Sequence, residues 1–84
     1  MRWILGWKWT DHVISQMKER NIQENLIELT LDNPDEIAVG NRERKIYQKK
    51  FEDKLLRVIV DGDKIITAYF TKKISKYLSK GESK

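Results

Sequence analysis

The spacing of apolar residues changes along this 84-residue chain, and each change marks an element. At the start, Trp3, Leu5, Trp7 and Trp9 alternate with Arg2, Ile4, Gly6 and Lys8. A period of two with aromatics predicts one short strand. Thr10 or Asp11 then supplies an N-cap, and Val13, Ile14 and Met17 recur at helical spacing. This predicts an amphipathic helix from Asp11 to about Arg20, ended by Asn21 in a left-handed conformation. A second helix is expected over about 23–32, burying Leu26, Ile27, Leu29 and Leu31. Asn33-Pro34-Asp35 stops it, because the residue before a proline is pushed out of the helical region.

From Glu36 the pattern becomes strand-like. Strands are expected at 36–39, 43–51, 54–60 and 64–71, with turns at Gly40-Asn41, Glu52-Asp53 and Asp61-Gly62-Asp63. Connections this short require antiparallel neighbours. A last helix is expected over 72–78, with Ile74, Tyr77 and Leu78 facing inward. The order (β)ααββββ(α) describes an α+β domain, a four-stranded antiparallel meander with a helical hairpin on one face. The whole chain, 1–84, is expected to form one domain, with a Trp-rich segment at 1–9 and a frayed tail at 79–84.

Composition narrows the function. Charged residues make up 36 % and apolar ones 39 %, yet three Trp, three Tyr and two Phe argue for a packed core. The absence of Cys excludes a disulfide scaffold and thiolate chemistry. No signal peptide or membrane span is apparent, so a cytoplasmic protein is expected. A Lys- and Glu-rich, Cys-free composition also fits a thermophile. The net charge of +4 is unevenly spread. Residues 1–40 hold four basic and seven acidic residues (net −3), whereas residues 41–84 hold thirteen and six (net +7). A basic second half points to a polyanionic partner.

Side chains alternate across a strand, so each strand divides into two faces. Leu56, Val58 and Val60 form one apolar set, and Ile66, Ala68 and Phe70 another; these belong against the helices. The opposite face would then show Leu55, Arg57 and Ile59 beside Ile65, Thr67, Tyr69 and Thr71. Tyr47 and Lys49 are expected to share it, giving cations for phosphates, rings for bases and hydroxyls for hydrogen bonds. A solvated antiparallel face would look the same in sequence.

Few residues could carry chemistry. His12 is the one histidine and the natural proton shuttle near neutral pH, although a surface histidine in a first helical turn is equally plain. Without Cys or clustered carboxylates it does not make a metal site. Arg20 suits the negative end of the first helix. Arg57 sits between Leu55, Leu56, Val58 and Ile59, where a permanent charge needs a partner or an open face. No Gly-rich phosphate loop or dinucleotide fingerprint is present, and no cofactor is expected.

Read together, His12-Val13, Gln16-Met17, Arg20 and Ile22, Asn33-Pro34-Asp35-Glu36, Arg44-Lys45-Ile46-Tyr47, Leu56-Arg57-Val58 and Ile65-Ile66-Thr67-Ala68-Tyr69 resemble a small prokaryotic family. Its pattern is a His-Ala-x-x-Arg-Met helix, an Asn-Pro break and a basic strand meander. It is a family of unknown function grouped with the RelE/ParE-type toxin fold. The resemblance spans about residues 10–78. Gln16 stands where that pattern has Arg, and Val13 where it has Ala.

The resemblance implies an RNA-binding or RNA-cleaving module, the toxin half of a toxin–antitoxin pair, ribosome-associated and opposed by a small antitoxin protein. In metal-independent cleavage the 2′-hydroxyl attacks its own phosphodiester, which needs proton transfer and cations for the developing charge. Mapped onto this chain, His12, Arg57, Tyr69 and Thr71 would be catalytic. Arg20, Arg44, Tyr47, Lys49 and Lys73 would hold RNA. Two other readings stay open: a non-catalytic module docking protein or nucleic acid through the same face, and a homodimer formed through Trp3, Trp7 and Trp9.

Overall fold

The structure is a computed structural model and describes residues 2–4 and 6–74. Two short strands, β1 (Arg2–Ile4) and β2 (Trp7–Trp9), precede the helices α1 (Asp11–Arg20) and α2 (Glu24–Asp32). Four strands follow: β3 (Glu36–Val39), β4 (Lys45–Phe51), β5 (Lys54–Asp61) and β6 (Lys64–Thr71). All six strands form one sheet in the order β1-β2-β6-β5-β4-β3. The fold is therefore α+β, as expected, but the sheet is wider than the four antiparallel strands read from the sequence. It is also mixed, because β2 runs parallel to β6.

The N-terminal pattern accounts for the difference. Its alternation suits two strands as well as one, and Gly6 interrupts it with φ +83, a conformation that side-chain-bearing residues avoid. Ile4 thereby pairs with Trp7, and the segment becomes a hairpin. Trp9 pairs with Ile65 and is 1 % exposed, in the core with Val13, Ile22, Ile27, Leu31, Leu56, Val58, Val60 and Ala68.

Helix α1 forms where the pattern places it. The Thr10 hydroxyl accepts from the Val13 N–H and donates to the Ile65 carbonyl at 2.7 Å, so the cap also anchors the helix to β6. Asn21 ends it with φ 55, ψ 46, and its N–H reaches the Met17 carbonyl. On α2, Ile27 and Leu31 are buried, but Leu29, read as a core residue, is 44 % exposed. The hundred-degree step between helical residues carries it away from the face that Ile27 and Leu31 share.

Strand β4 begins at Lys45 rather than at residue 43, because Asn41–Glu43 make a short 3-10 turn in which Arg42 adopts φ 59, ψ 34. The other correction is one of register. Arg57 opposes Tyr69 and Ile59 opposes Thr67, yet Val60 opposes Ile65, so Ile66 is an extra residue in β6. This bulge turns Ile65, not Ile66, into the core beside Val60. Of the final helix expected over 72–78, residues 75–78 lie outside the described residues, as does the tail at 79–84.

Candidate nucleic-acid interface

Two geometric facts build the site: the two-residue turn between β4 and β5, and the bulge in β6. The turn pairs Phe51 with Lys54, which sets Gln48 opposite Arg57. The bulge sets Arg57 opposite Tyr69. These three side chains consequently form one row across β4, β5 and β6, on the sheet face away from the helices. Arg57 donates from Nε to Gln48 Oε1 at 2.8 Å and from a terminal nitrogen to the Tyr69 hydroxyl oxygen. Gln48 is fully buried, so its amide fixes the guanidinium in one orientation. Accepting from Arg57 leaves the Tyr69 hydroxyl hydrogen available to donate outward.

Beyond Trp9, strand β2 gives way to α1, and the outer edge of β6 has no described strand beside it. Helix α1 covers that edge with two side chains one turn apart. Gln16 Oε1 accepts the Ala68 N–H at 3.2 Å and the Thr67 hydroxyl at 2.5 Å. Arg20 donates to the Ala68 carbonyl at 2.9 Å. An arginine at position 16 could not accept these hydrogens. Gln16 thus has a structural use that its amide oxygen supplies.

Hydrogen-bonding direction alternates along a strand, so Phe70 turns its N–H and C=O to the same side as Ala68. There an open groove of about 630 Å³ runs past the end of α1. Arg20, Lys54, Thr67, Tyr69, Phe70, Thr71 and Lys72 line it. Three are cations, two are rings, two carry aliphatic hydroxyls, and none is a carboxylate. Lys54 also sits over the Phe70 ring, with its nitrogen 5.5 Å from the centroid.

The groove gathers Arg20, Tyr69 and Thr71 from the residues expected in sequence, with Arg57 held behind Tyr69. Lys73 is adjacent, its backbone N–H donating to the Thr71 hydroxyl oxygen. The others lie elsewhere. His12 is exposed in the first turn of α1. That turn is anchored at Ile65. Tyr69 lies four residues along β6, roughly 13 Å at about 3.3 Å per residue. No hydrogen bond or ion pair among the described residues joins His12 to Arg57, Tyr69 or Thr71. The four residues read as one catalytic group are thus not assembled.

Tyr47 and Lys49 are on the opposite face from Arg57, because Tyr47 pairs with Val58 and Lys49 with Leu56. Tyr47 packs on the core and meets Trp7 edge-on, with ring centroids 5.7 Å apart. Lys49 donates to the Asn33 carbonyl at 3.0 Å and lies 3.8 Å from an Asp35 oxygen, tying β4 to the end of α2. Arg44 is 3.9 Å from an Asp61 carboxylate oxygen, at the far end of β4 and β5 from the groove. Of the residues in the dimer reading, Trp9 is buried, and Trp7 is half-buried and meets Tyr47 edge-on. The side chain of Trp3 lies outside the described structure.

The sequence pattern assigns no site role to Lys54, Phe70, Lys72 and Gln48, and it marks Gln16 only as a departure from the resemblance. Hairpin register carries a signal for Gln48, since a two-residue turn at Glu52-Asp53 already sets it opposite Arg57. Among the described residues no group of three or more His, Cys, Asp or Glu side chains could hold a metal ion. Among the described residues no helix is long and apolar enough to cross a membrane.

Comparison with known proteins gives one assignment. No curated protein sequence and no solved structure matches the chain. Residues 9–70 match the family described as Domain of unknown function (DUF4258), and with most of its length covered the chain belongs to that family.

Proposed function

We propose that this domain binds single-stranded RNA, holding the sugar–phosphate backbone in the groove along the outer edge of β6. The observation that carries the reading is the lining of that groove, with Arg20, Lys54 and Lys72 as cations and no carboxylate among them. Such a stripe attracts polyanions and releases their counterions on binding. Tyr69 and Phe70 add flat surfaces on which unstacked bases can lie, which favours a single strand over a duplex. Thr67, Thr71 and the Tyr69 hydroxyl are suited to ribose hydroxyls. With His12 away from this groove, the arrangement supports binding rather than proton transfer.

The test is titration of a fluorescent single-stranded RNA oligonucleotide, without metal, over a salt series. Affinity should fall steeply with salt, and Lys54→Ala and Lys72→Ala should each lower the slope by about 0.7. Binding that ignores salt, or that both variants leave unchanged, refutes the groove. Cleavage of the RNA that disappears in His12→Ala would instead restore the catalytic reading.

A further inference from the structure

The opposite edge of the sheet is β3. Its two neighbours in sequence fix which of its backbone groups face outward. The Gly40 N–H donates to the Arg44 carbonyl at 2.6 Å, and Ala38 pairs with Ile46 two residues earlier. Alternation then directs the N–H and C=O of Ile37 and Val39 away from β4, to a side where no described strand lies. The side chains of these same two residues lie on the helix-bearing face, opposite Tyr47 and Lys45. They are 47 % and 75 % exposed, and with Leu29 of α2 they are the exposed large apolar residues among those described. An open strand edge with apolar side chains is a template for another strand.

We infer that the strand this edge accepts is β3 of a second copy of the chain, paired antiparallel about a two-fold axis that passes between the two Ala38 residues. Three features select this partner. First, the register is self-consistent. Centring the axis on Ala38 sets Ile37 opposite the partner's Val39, and Val39 opposite the partner's Ile37. All four outward backbone groups are then paired, and the apolar side chains meet on one face. Second, a two-fold axis normal to the sheet keeps the helices of both copies on the same side, which puts Leu29 of each copy on the face where these side chains meet.

Third, charge is polarised along the strand. Asp32, Asp35 and Glu36 stand at its start, Asp35 beside Lys49, whereas Arg42, Arg44 and Lys45 cluster just past its end with Glu43, Arg44 beside Asp61. Antiparallel pairing brings each acidic end beside the other copy's basic end, and parallel pairing would not. Arg42 holds a left-handed conformation in the turn that ends the strand. The contact is small, so a weak dimer is expected, with a Kd between about 1 µM and 1 mM.

Sedimentation velocity from about 10 µM to about 1 mM should show reversible dimerisation over that range. Val39→Lys, at an exposed position, should keep the fold and weaken the dimer at least about tenfold, since lysine on an edge strand opposes pairing. Register is read separately. The chain has no Cys. In Ala38→Cys the two thiols would flank the axis as a non-hydrogen-bonded pair, with Cα atoms about 4.5 Å apart, within disulfide range. Mild oxidation should cross-link this variant rapidly and leave Ser15→Cys, on exposed α1, monomeric. A chain that is monomeric throughout overturns the proposal, whatever else the edge accepts. So does a dimer insensitive to Val39→Lys, or a cysteine at position 38 that cross-links no faster than one at position 15.

Discussion

The two edges of this sheet are finished in opposite ways. The outer edge of β6 is covered by α1, whose Gln16 and Arg20 satisfy the N–H and C=O of Ala68. The edge at β3 is left open, with Ile37 and Val39 exposed beside it. Among the described residues one helical hairpin is available to cover the sheet. Placing α1 over β6 protects that edge and, by ending there, creates the basic groove past Ala68. Placing α2 over β4 and β5 leaves β3 uncovered. On the proposed readings one edge takes a polyanion and the other a strand, and substitutions at the two should have separable effects.

The largest effect is expected at Gln16. Gln16→Leu keeps much of the volume but leaves the Ala68 N–H and Thr67 hydroxyl without their acceptor. An unsatisfied buried group costs about 1–3 kcal/mol. Each kcal/mol moves the melting temperature of a domain this size by about 4–8 °C. A fall of more than about 5 °C in thermal unfolding is therefore expected. Unchanged stability would mean that α1 does not close the edge.

Arg57→Met comes next and separates folding from binding. It removes the hydrogen bonds to Gln48 and Tyr69, taking a donor from the Oε1 of a fully buried amide, and should cost about 1–3 kcal/mol. RNA affinity should fall as well, because the Tyr69 ring and hydroxyl lose the group that positions them. Melting curves and the RNA titration check the two parts. A variant as stable and as tight-binding as the parent would show that the row across β4, β5 and β6 supports nothing.

How much of this was legible in the sequence follows from which signals are local. The cap at Thr10, the stop at Asn21, the break at Pro34 and the strand Lys64–Thr71 are set by neighbouring residues, and all four are where the pattern puts them. The faces of β4 and β6 were harder. Counting back from the two-residue turn at Gly62-Asp63 would set Arg57 against Ala68; the extra residue at Ile66 moves it to Tyr69. Nothing in the residue types Ile65-Ile66 marks a bulge, since both are apolar and β-branched. Tyr47 and Lys49 were misplaced for a related reason: aromatic and aliphatic stems pack on a core as readily as they face water. His12, Arg57, Tyr69 and Thr71 are each sound chemical candidates, but sequence carries no record of the distance that separates the first from the rest.

A smaller effect is expected from removing single cations of the groove. Lys54→Ala and Lys72→Ala touch exposed side chains, so thermal stability should stay within about 0.5 kcal/mol of the parent. Lys54 should show the larger loss of RNA affinity of the two, because its ammonium is held over the Phe70 ring rather than ranging freely. Equal losses would reduce its role to charge alone.

The smallest effect on the fold is expected at the open edge, and that smallness is the informative result. Val39→Lys replaces a side chain that is 75 % exposed and outside the core cluster. At concentrations where the chain is monomeric, it should shift stability by no more than about 0.5 kcal/mol. RNA affinity should also stay within about twofold, a change below 0.5 kcal/mol, because the groove lies at the other end of the sheet. A melting temperature that falls at high protein concentration but not at low would locate the loss in association, since binding between copies stabilises by mass action. If the fall were the same at every concentration, Val39 would belong to the fold itself, and the distinction between a closed edge and an open one would fail.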